Sequence, residues 1–311
     1  MSSPADQVDA AGAATAAGAA PAGGAATSAR WAYAPLWLMS APAFVLFAAL
    51  VLVPIAMTLV LTFYKFDPAT GPIAAFQLGN YAEVVTDSYY RTIFGRTFGI
   101  AFLTTLICVV IGAPEAYVLY RMRDPYRSAF LLVILAPLLV SVVVRAFGWS
   151  MLLNSNGLVN QALGLVGLGP YKLEYTTFAI VIALVHVMLP FMVIPVWTSL
   201  QKLDPQVENA ALSLMASPAT TLRRIVLPQV APGILSGCLM VFGLSASAFA
   251  IPGLLGGRRL KVVATSVYDE FLGSLNWPLG ATIAVLLLVA NLVIMLTYYR
   301  VLERRYSRSL G

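Results

Sequence analysis

Charge is scarce in this sequence. Among its 311 residues, 19 are Lys or Arg and 13 are Asp or Glu, where a soluble chain of this length would carry roughly 78 charged residues in all. Cysteine occurs twice, as Cys108 and Cys238, both inside apolar runs. Neither a disulfide framework nor a cysteine metal site is readable from them. There is no Gly-x-x-x-x-Gly-Lys-Ser/Thr phosphate loop, and no Gly-Lys dipeptide at all. His-Glu-x-x-His and Gly-x-Ser-x-Gly are missing too, which speaks against an intramembrane enzyme. The stretch Leu235-Ser236-Gly237-Cys238-Leu239 faintly echoes an ATPase signature, but it lies within an apolar run. Composition excludes an ordinary cytosolic enzyme, a disordered chain and a nucleic-acid-binding module, despite a net charge of +6.

What is present is apolar surface, 60% of all residues. Six stretches are long enough to cross a bilayer, which takes about 20 helical residues. They run over Leu36–Phe63, Thr92–Tyr120, Ser128–Ser150, Thr177–Ser199, Ala231–Leu255 and Leu279–Tyr299. Helices are the open choice, since lipid offers backbone groups no partners and the runs lack the alternation of a barrel. Pro54, Pro114, Pro137 and Pro190 predict kinks that packed neighbours tolerate. Residues 1–29 hold 13 Ala, 4 Gly and no basic residue. They read as a disordered tail rather than a signal peptide, ahead of a membrane domain over 30–311.

Basic residues set the orientation. With the N-terminus inside, the inner segments hold Arg30, Arg121, Arg123, Arg127, Lys202, Arg223, Arg224, Arg300, Arg304, Arg305 and Arg308. The outer segments hold Lys65, Arg91, Lys172, Arg258, Arg259 and Lys261. This split predicts both termini in the cytoplasm, with the Arg258-Arg259-x-Lys261 cluster standing against it. Residues 151–176 and 256–278 contain apolar, Gly-punctuated stretches that read either as short helices on the outer face or as simple interfacial packing.

The segment from Gln201 to Val230 is too long for a plain turn between antiparallel helices, which takes about 2–8 residues. Asp204-Pro205 and Ser217-Pro218 each pair a helix-capping residue with proline at the first helical position. Glu208 falls near the first helix N-terminus, where the dipole favours an anion. Ala210, Ala211 and Ala216 allow close approach of another surface. The second short helix carries Leu222, Arg223, Arg224, Ile225 and Val226, and Pro228 is expected to stop it. Two short helices at a corner suit a surface on which something outside the membrane pushes; the alternative is an interfacial elbow with no partner.

The run from Glu208 through Asn209, Ala210, Ala211, Leu212, Ser213, Leu214, Met215 and Ala216 to Ser217 and Pro218, followed by Arg223-Arg224-Ile225-Val226-Leu227-Pro228, resembles the EAA loop of ABC-importer permeases. Val144–Trp149, Asn156–Asn160, Ile251–Gly257 and Asn276–Gly280 resemble the polyamine-type (spermidine/putrescine) branch. The likeness covers roughly Leu36 to Leu302. It implies an all-α, six-helix inner-membrane permease of the type I importer fold. Loop 201–230 is then the coupling loop that docks on cytoplasmic ATPase subunits, which carry ATP and Mg, while this chain binds no cofactor. A second permease chain, similar or identical, and a periplasmic solute-binding protein are the other implied partners. Aligned on Ser217-Pro218, the family's Glu falls on Asn209 and its Gly on Met215. Met215 cannot take a left-handed backbone cheaply, so the corner is expected elsewhere or differently turned.

Ionisable groups inside spans are pathway candidates, because lipid makes them costly. Arg96 and Arg145 fall near the outer face, and together along a pathway they would repel a polyamine cation. His186, near the middle of the fourth span, either lines the pathway or relays a proton, or is a neutral histidine bonded to a neighbouring helix. Glu115 is expected to reach the cytoplasmic interface. The rivals to an importer subunit are a secondary transporter driven by an ion gradient, which would need coupling carboxylates near the midplane, and a structural membrane anchor, which would not need the two-helix loop.

Overall fold

In a computed structural model of the chain, the backbone is described for residues 34–204, 206–207, 211 and 213–307, with side chains from Ser40 to Arg300. The Ala/Gly-rich tail of residues 1–29 lies outside the described residues. The chain divides at Ile55–Ala56 into two compact units. The described part of the first belongs to α1 (Ala34–Leu61), which runs on into the second. Its apolar stretch has no buried residue. A helix that is apolar all round and still exposed is at home only in lipid.

In the second unit a short hairpin, β1 (Lys65–Asp67) with β2 (Gly71–Ile73), pairs antiparallel with Phe66 opposite Pro72. Then follow α2 (Gly79–Thr86), α3 (Ser88–Arg121), α4 (Tyr126–Leu139), α5 (Val142–Leu153), α6 (Leu158–Leu165) and α7 (Thr177–Leu200). After the loop come α8 (Pro218–Ala246), α9 (Ala250–Leu255), α10 (Val263–Tyr268) and α11 (Trp277–Ser307). Among the described residues, five helices (α1, α3, α7, α8 and α11) are long and apolar enough to cross a membrane singly, and α4 with the segment from α5 to α6 makes a sixth, bent span.

Two spans depart from the sequence reading. The third, expected as one helix over Ser128–Ser150, breaks after Leu139 and turns by 97°. Pro137 has no N–H for the carbonyl one turn back, and Val140 and Ser141 then adopt extended backbone. The fifth, expected over Ala231–Leu255, ends at Ala246. The hydroxyl of Ser247 donates to the carbonyls of Gly243 and Leu244, at 3.0 and 3.3 Å, and closes the helix. Segments 151–176 and 256–278 contain short helices, α6 and α10.

Hydrophobic burial does not drive helix association inside lipid, so close contact must. The centre of the bundle is α7, packed against α3 and α8. Met192 of α7 is fully buried and lies between Gly112 of α3 and Gly237 of α8. A methyl group on Gly112 would come within 2.9 Å of Met192 Cγ, and one on Gly237 within 2.6 Å of its sulfur. One turn before Gly237, a methyl on Gly233 would sit 2.6 Å from the carbonyl oxygen of Pro195. Gly233 and Gly237 thus form a small-residue stripe that lets α8 lie on α7 almost backbone to backbone.

Gly233→Leu should therefore force α7 and α8 apart, at about 1–3 kcal/mol or more for overpacking. Gly243→Ala, whose methyl would meet the ends of the Met295 and Asn291 side chains at 3.4 and 3.9 Å, should be tolerated. Thermal unfolding of the detergent-solubilised chain checks the contrast, with a clear drop for the first variant and little change for the second.

Candidate functional site

The loop between α7 and α8 is built from local signals. Asp204 Oδ1 accepts the Gln206 N–H at 2.9 Å, capping a helical turn. Pro205, Glu208, Asn209, Ala210 and Leu212 lie outside the described residues. Ala211 is buried and helical, and its carbonyl accepts the N–H of Ala216 at 3.1 Å. That bond spans a Schellman-type turn whose left-handed residue is Met215, at φ 60°. The corner therefore sits at the family glycine position after all, contrary to the sequence reading. A side chain is accommodated there because it meets nothing: Met215 is 94% exposed and Leu214 83%. The loop tip is thus an apolar knob.

Past the corner, Ser217 Oγ accepts the Thr220 N–H at 3.3 Å, with Pro218 at the first helical position. Pro228 does not stop the helix that starts there, which is the second correction in this segment. Leu222–Val226 forms one π turn, and the N–H of Leu227 reaches back to the carbonyl of Leu222. The wider turn re-registers the backbone hydrogen bonds just where a proline would clash with an α-helical one. Helical backbone consequently runs from Pro218 to Ala246. Arg223 and Arg224 are exposed, Leu227 is 43% exposed, and Val226 and Val230 are buried in the same core as Leu200 and Met192.

At the opposite end of the bundle, α9, α10 and the π turn Asp269–Gly273 wall a cavity of about 740 Å³. Phe249 and Tyr268 line it with ring centroids 4.9 Å apart, beside Asp269 and Glu270. Lys261 pairs with Asp269 at 2.6 Å, and this carboxylate holds the ammonium above the usual lysine range. Burial, together with the nearby carboxylates of Glu270 and Asp87, pushes Glu83 on α2 above the usual carboxylate range.

The three pathway candidates are not brought together as one site. Arg96 donates to the carbonyls of Lys261 and Arg259, at 2.9 and 3.4 Å, and so ties α3 to the loop before α10. Arg145 lies on α5, with Nε and Nη1 buried and without a hydrogen-bond partner among the described residues. One turn on, Trp149 donates its ring N–H to Nδ1 of His186 on α7 at 3.3 Å. An indole N–H only donates, so Nδ1 must carry the lone pair, and the imidazole is a hydrogen-bond acceptor from a neighbouring helix. Glu115 is half-buried on α3, and its Oε2 is buried with no hydrogen-bond partner among the described residues.

Residues 37–308 match the model of the binding-protein-dependent transport system inner membrane component. The chain belongs to this family. It is 31% identical over 252 residues to the spermidine/putrescine transport system permease protein PotB of Salmonella typhimurium strain SL1344, covering 80% of this chain and 88% of that one. It is 30% identical to PotB of Escherichia coli K12, covering 80% and 91%. A solved bacterial alginate ABC transporter in complex with an alginate pentasaccharide-bound periplasmic protein contains a chain that superposes with a TM-score of 0.75. The identity is 18%, with 88% of this chain and 96% of that chain covered.

Family membership makes the chain a multi-pass inner-membrane transport component with the type I importer permease fold. Within that fold the glycine stripe on α8 and the Phe249–Tyr268 pair are features that sequence reading missed. The two-glycine spacing was visible in the residues; the aromatic pair was not, because Phe249 just precedes α9 while Tyr268 ends α10.

Met215→Gly should relieve the left-handed strain at the corner by about 1 kcal/mol, read as slower hydrogen exchange at the Ala216 amide. Glu83 titrates the other way from a salt-bridged acid: its folded-state value is raised, so folding gains stability as pH falls through it toward 4.5. Intrinsic-rate-corrected exchange over residues 79–94 should slow from about pH 7 to about pH 5. Glu83→Gln should lose much of that dependence.

Proposed function

We propose that the chain is the permease subunit of an ATP-driven importer that carries a small organic cation of the polyamine class into the cytoplasm, with both termini on the cytoplasmic side. The observation that carries this reading is the corner at Met215. It presents Leu214, Met215, Arg223 and Arg224 at the very start of a helix that continues into the bundle core.

An ATPase subunit that gripped this knob would hold one end of a lever. The helix from Pro218 is unbroken to Ala246, and its glycine stripe rests on α7, so a push at the loop moves both spans. ATP and Mg belong to the ATPase, and nucleotide shifts the pathway only if it favours one of the two states over the other. Glu208, Asn209, Ala210 and Ala211 begin the docking motif, and Leu227 and Pro228 end it. A second permease chain, identical or similar, completes the pathway. A periplasmic binding protein delivers the solute, as the alginate-bound protein stands in complex with the alginate transporter.

Support for a cation comes from the relatives named for spermidine and putrescine and from the outer cavity. The Phe249–Tyr268 pair and the Glu270 carboxylate suit an alkylammonium chain, and they share the cavity with Arg258 and with Lys261, whose charge Asp269 offsets. Arg96 is held on the carbonyls of Lys261 and Arg259, which fixes its position while its positive charge remains. Arg145 and His186, adjoining at the α5–α7 contact, are the remaining pathway candidates.

The test is ATPase stimulation in the assembled complex. Glu208→Lys with Asn209→Lys, or Arg223→Glu with Arg224→Glu, should lower stimulation by spermidine-loaded binding protein about tenfold, as loss of an interface anchor does. Undiminished stimulation in both double variants overturns the docking role. Arg145→Ala should alter spermidine uptake while the ATPase still co-purifies.

A further inference from the structure

The basic cluster at Arg258, Arg259 and Lys261 stands against the charge bias that orients the chain, and transport by itself does not explain it. We propose that the hollow bounded by Lys172, Arg258 and Arg259 is the seat of acidic side chains on the extracytoplasmic binding protein, latching it over the mouth of the outer cavity. This rests on the importer reading given above.

The hollow measures about 400 Å³ and is lined by Lys172, Tyr175, Gly256, Gly257, Arg258 and Arg259. Three cations converge on it from segments far apart in sequence, and no carboxylate lines it. Lys261 is neutralised by Asp269, but among the described residues neither Lys172, Arg258 nor Arg259 has an ion-pair partner. Like charges gathered without a counter-charge cost folding energy, and basic residues resist translocation to the outer side. An anion arriving from outside relieves the repulsion.

The frame of the hollow is stiff. Gly257 at φ 57° faces Tyr175 at φ 59°, and a methyl group on Gly257 would come within 2.7 Å of the Tyr175 ring. A methyl on Gly256 would sit 2.6 Å from the carbonyl oxygen of Pro252. Arg96 holds the carbonyls of Arg259 and Lys261, and Thr97 Oγ1 accepts the Val263 N–H at 2.9 Å. The backbone is thus pinned from α3 while the Arg258 and Arg259 side chains stay exposed. A non-glycine residue in left-handed backbone, such as Tyr175, is strain of the kind that collects at binding sites.

Position favours a soluble protein as the occupant. Lys172 precedes the first residue of α7 and Arg258 follows the last of α9, so the hollow lies beyond the ends of the helices, on the side opposite the coupling loop. It shares Gly257 and Arg258 with the 740 Å³ cavity. A partner lobe anchored there by carboxylates stands beside the aromatic pair that would receive its cation.

The experiment uses the assembled transporter in phosphatidylcholine nanodiscs, titrated with its spermidine-loaded binding protein while ATPase rate is followed. Lys172→Ser with Arg259→Ser should raise the half-stimulating concentration about tenfold with the maximal stimulated rate kept, and should flatten its dependence on salt. Lys172→Arg with Arg259→Lys should behave as wild type. An unchanged half-stimulating concentration in the serine variant overturns the proposal while leaving the importer reading intact. A shift that appears only when phosphatidylglycerol is added marks a lipid-headgroup site and overturns it equally. A wild-type assembly that the loaded binding protein does not stimulate overturns the importer reading and this proposal with it.

Discussion

The loop joins α7 to α8, and the contact between these two helices ties it to the bundle. Lipid gives two apolar helices no solvent-driven reason to associate, so the contact depends on close fit. Here the fit is made by absent side chains. Gly233 and Gly237 let α8 settle onto Pro195, Ser199 and Met192, and Gly112 opens the same space from α3. The loop hangs from the two helices that share this contact, and the buried Val226 and Val230 carry it straight into the core. A coupling element on a loosely packed pair would flex at its root instead of moving the spans.

The two ends of the bundle use charge differently. At the loop end, Arg223 and Arg224 flank an apolar knob, the mixture that suits a protein interface. At the other end, cations are sorted by task. Arg96 spends its hydrogen bonds on backbone, Lys261 pairs with Asp269, and Lys172, Arg258 and Arg259 line one hollow with no ion-pair partner among the described residues. The same end carries Glu83 near Glu270 and Asp87, so like charges gather there beside the Lys261–Asp269 pair. Gathered like charges cost stability in the isolated chain and favour partners of complementary charge.

Much of this was legible in the residues. Apolar runs of the right length marked the spans, and Ser217-Pro218 marked the start of the helix that leads into α8. Less legible were the places where one local rule meets a second constraint. Pro228 reads as a helix stop, yet a single π turn over Leu222–Val226 carries the helix past it. Met215 reads as unsuited to a left-handed corner, yet its exposure leaves no clash beyond the backbone's own strain. Pro137 reads as a kink, yet extended backbone at Val140 and Ser141 turns the span by 97°.

By itself the sequence determined that the chain lives in a membrane, how many times it can cross, and which loop carries the family's docking motif. Those properties follow from composition, run length and spacing, which act locally along the chain. Only the tertiary structure decided that Phe249 and Tyr268 face one cavity with Glu270, that Arg96 is bound to backbone rather than free along a pathway, and that Lys172 joins Arg258 and Arg259 around one hollow. Each brings together residues from separate helices or loops, and their meeting is set by how α3, α7 and α8 pack, which no local pattern encodes.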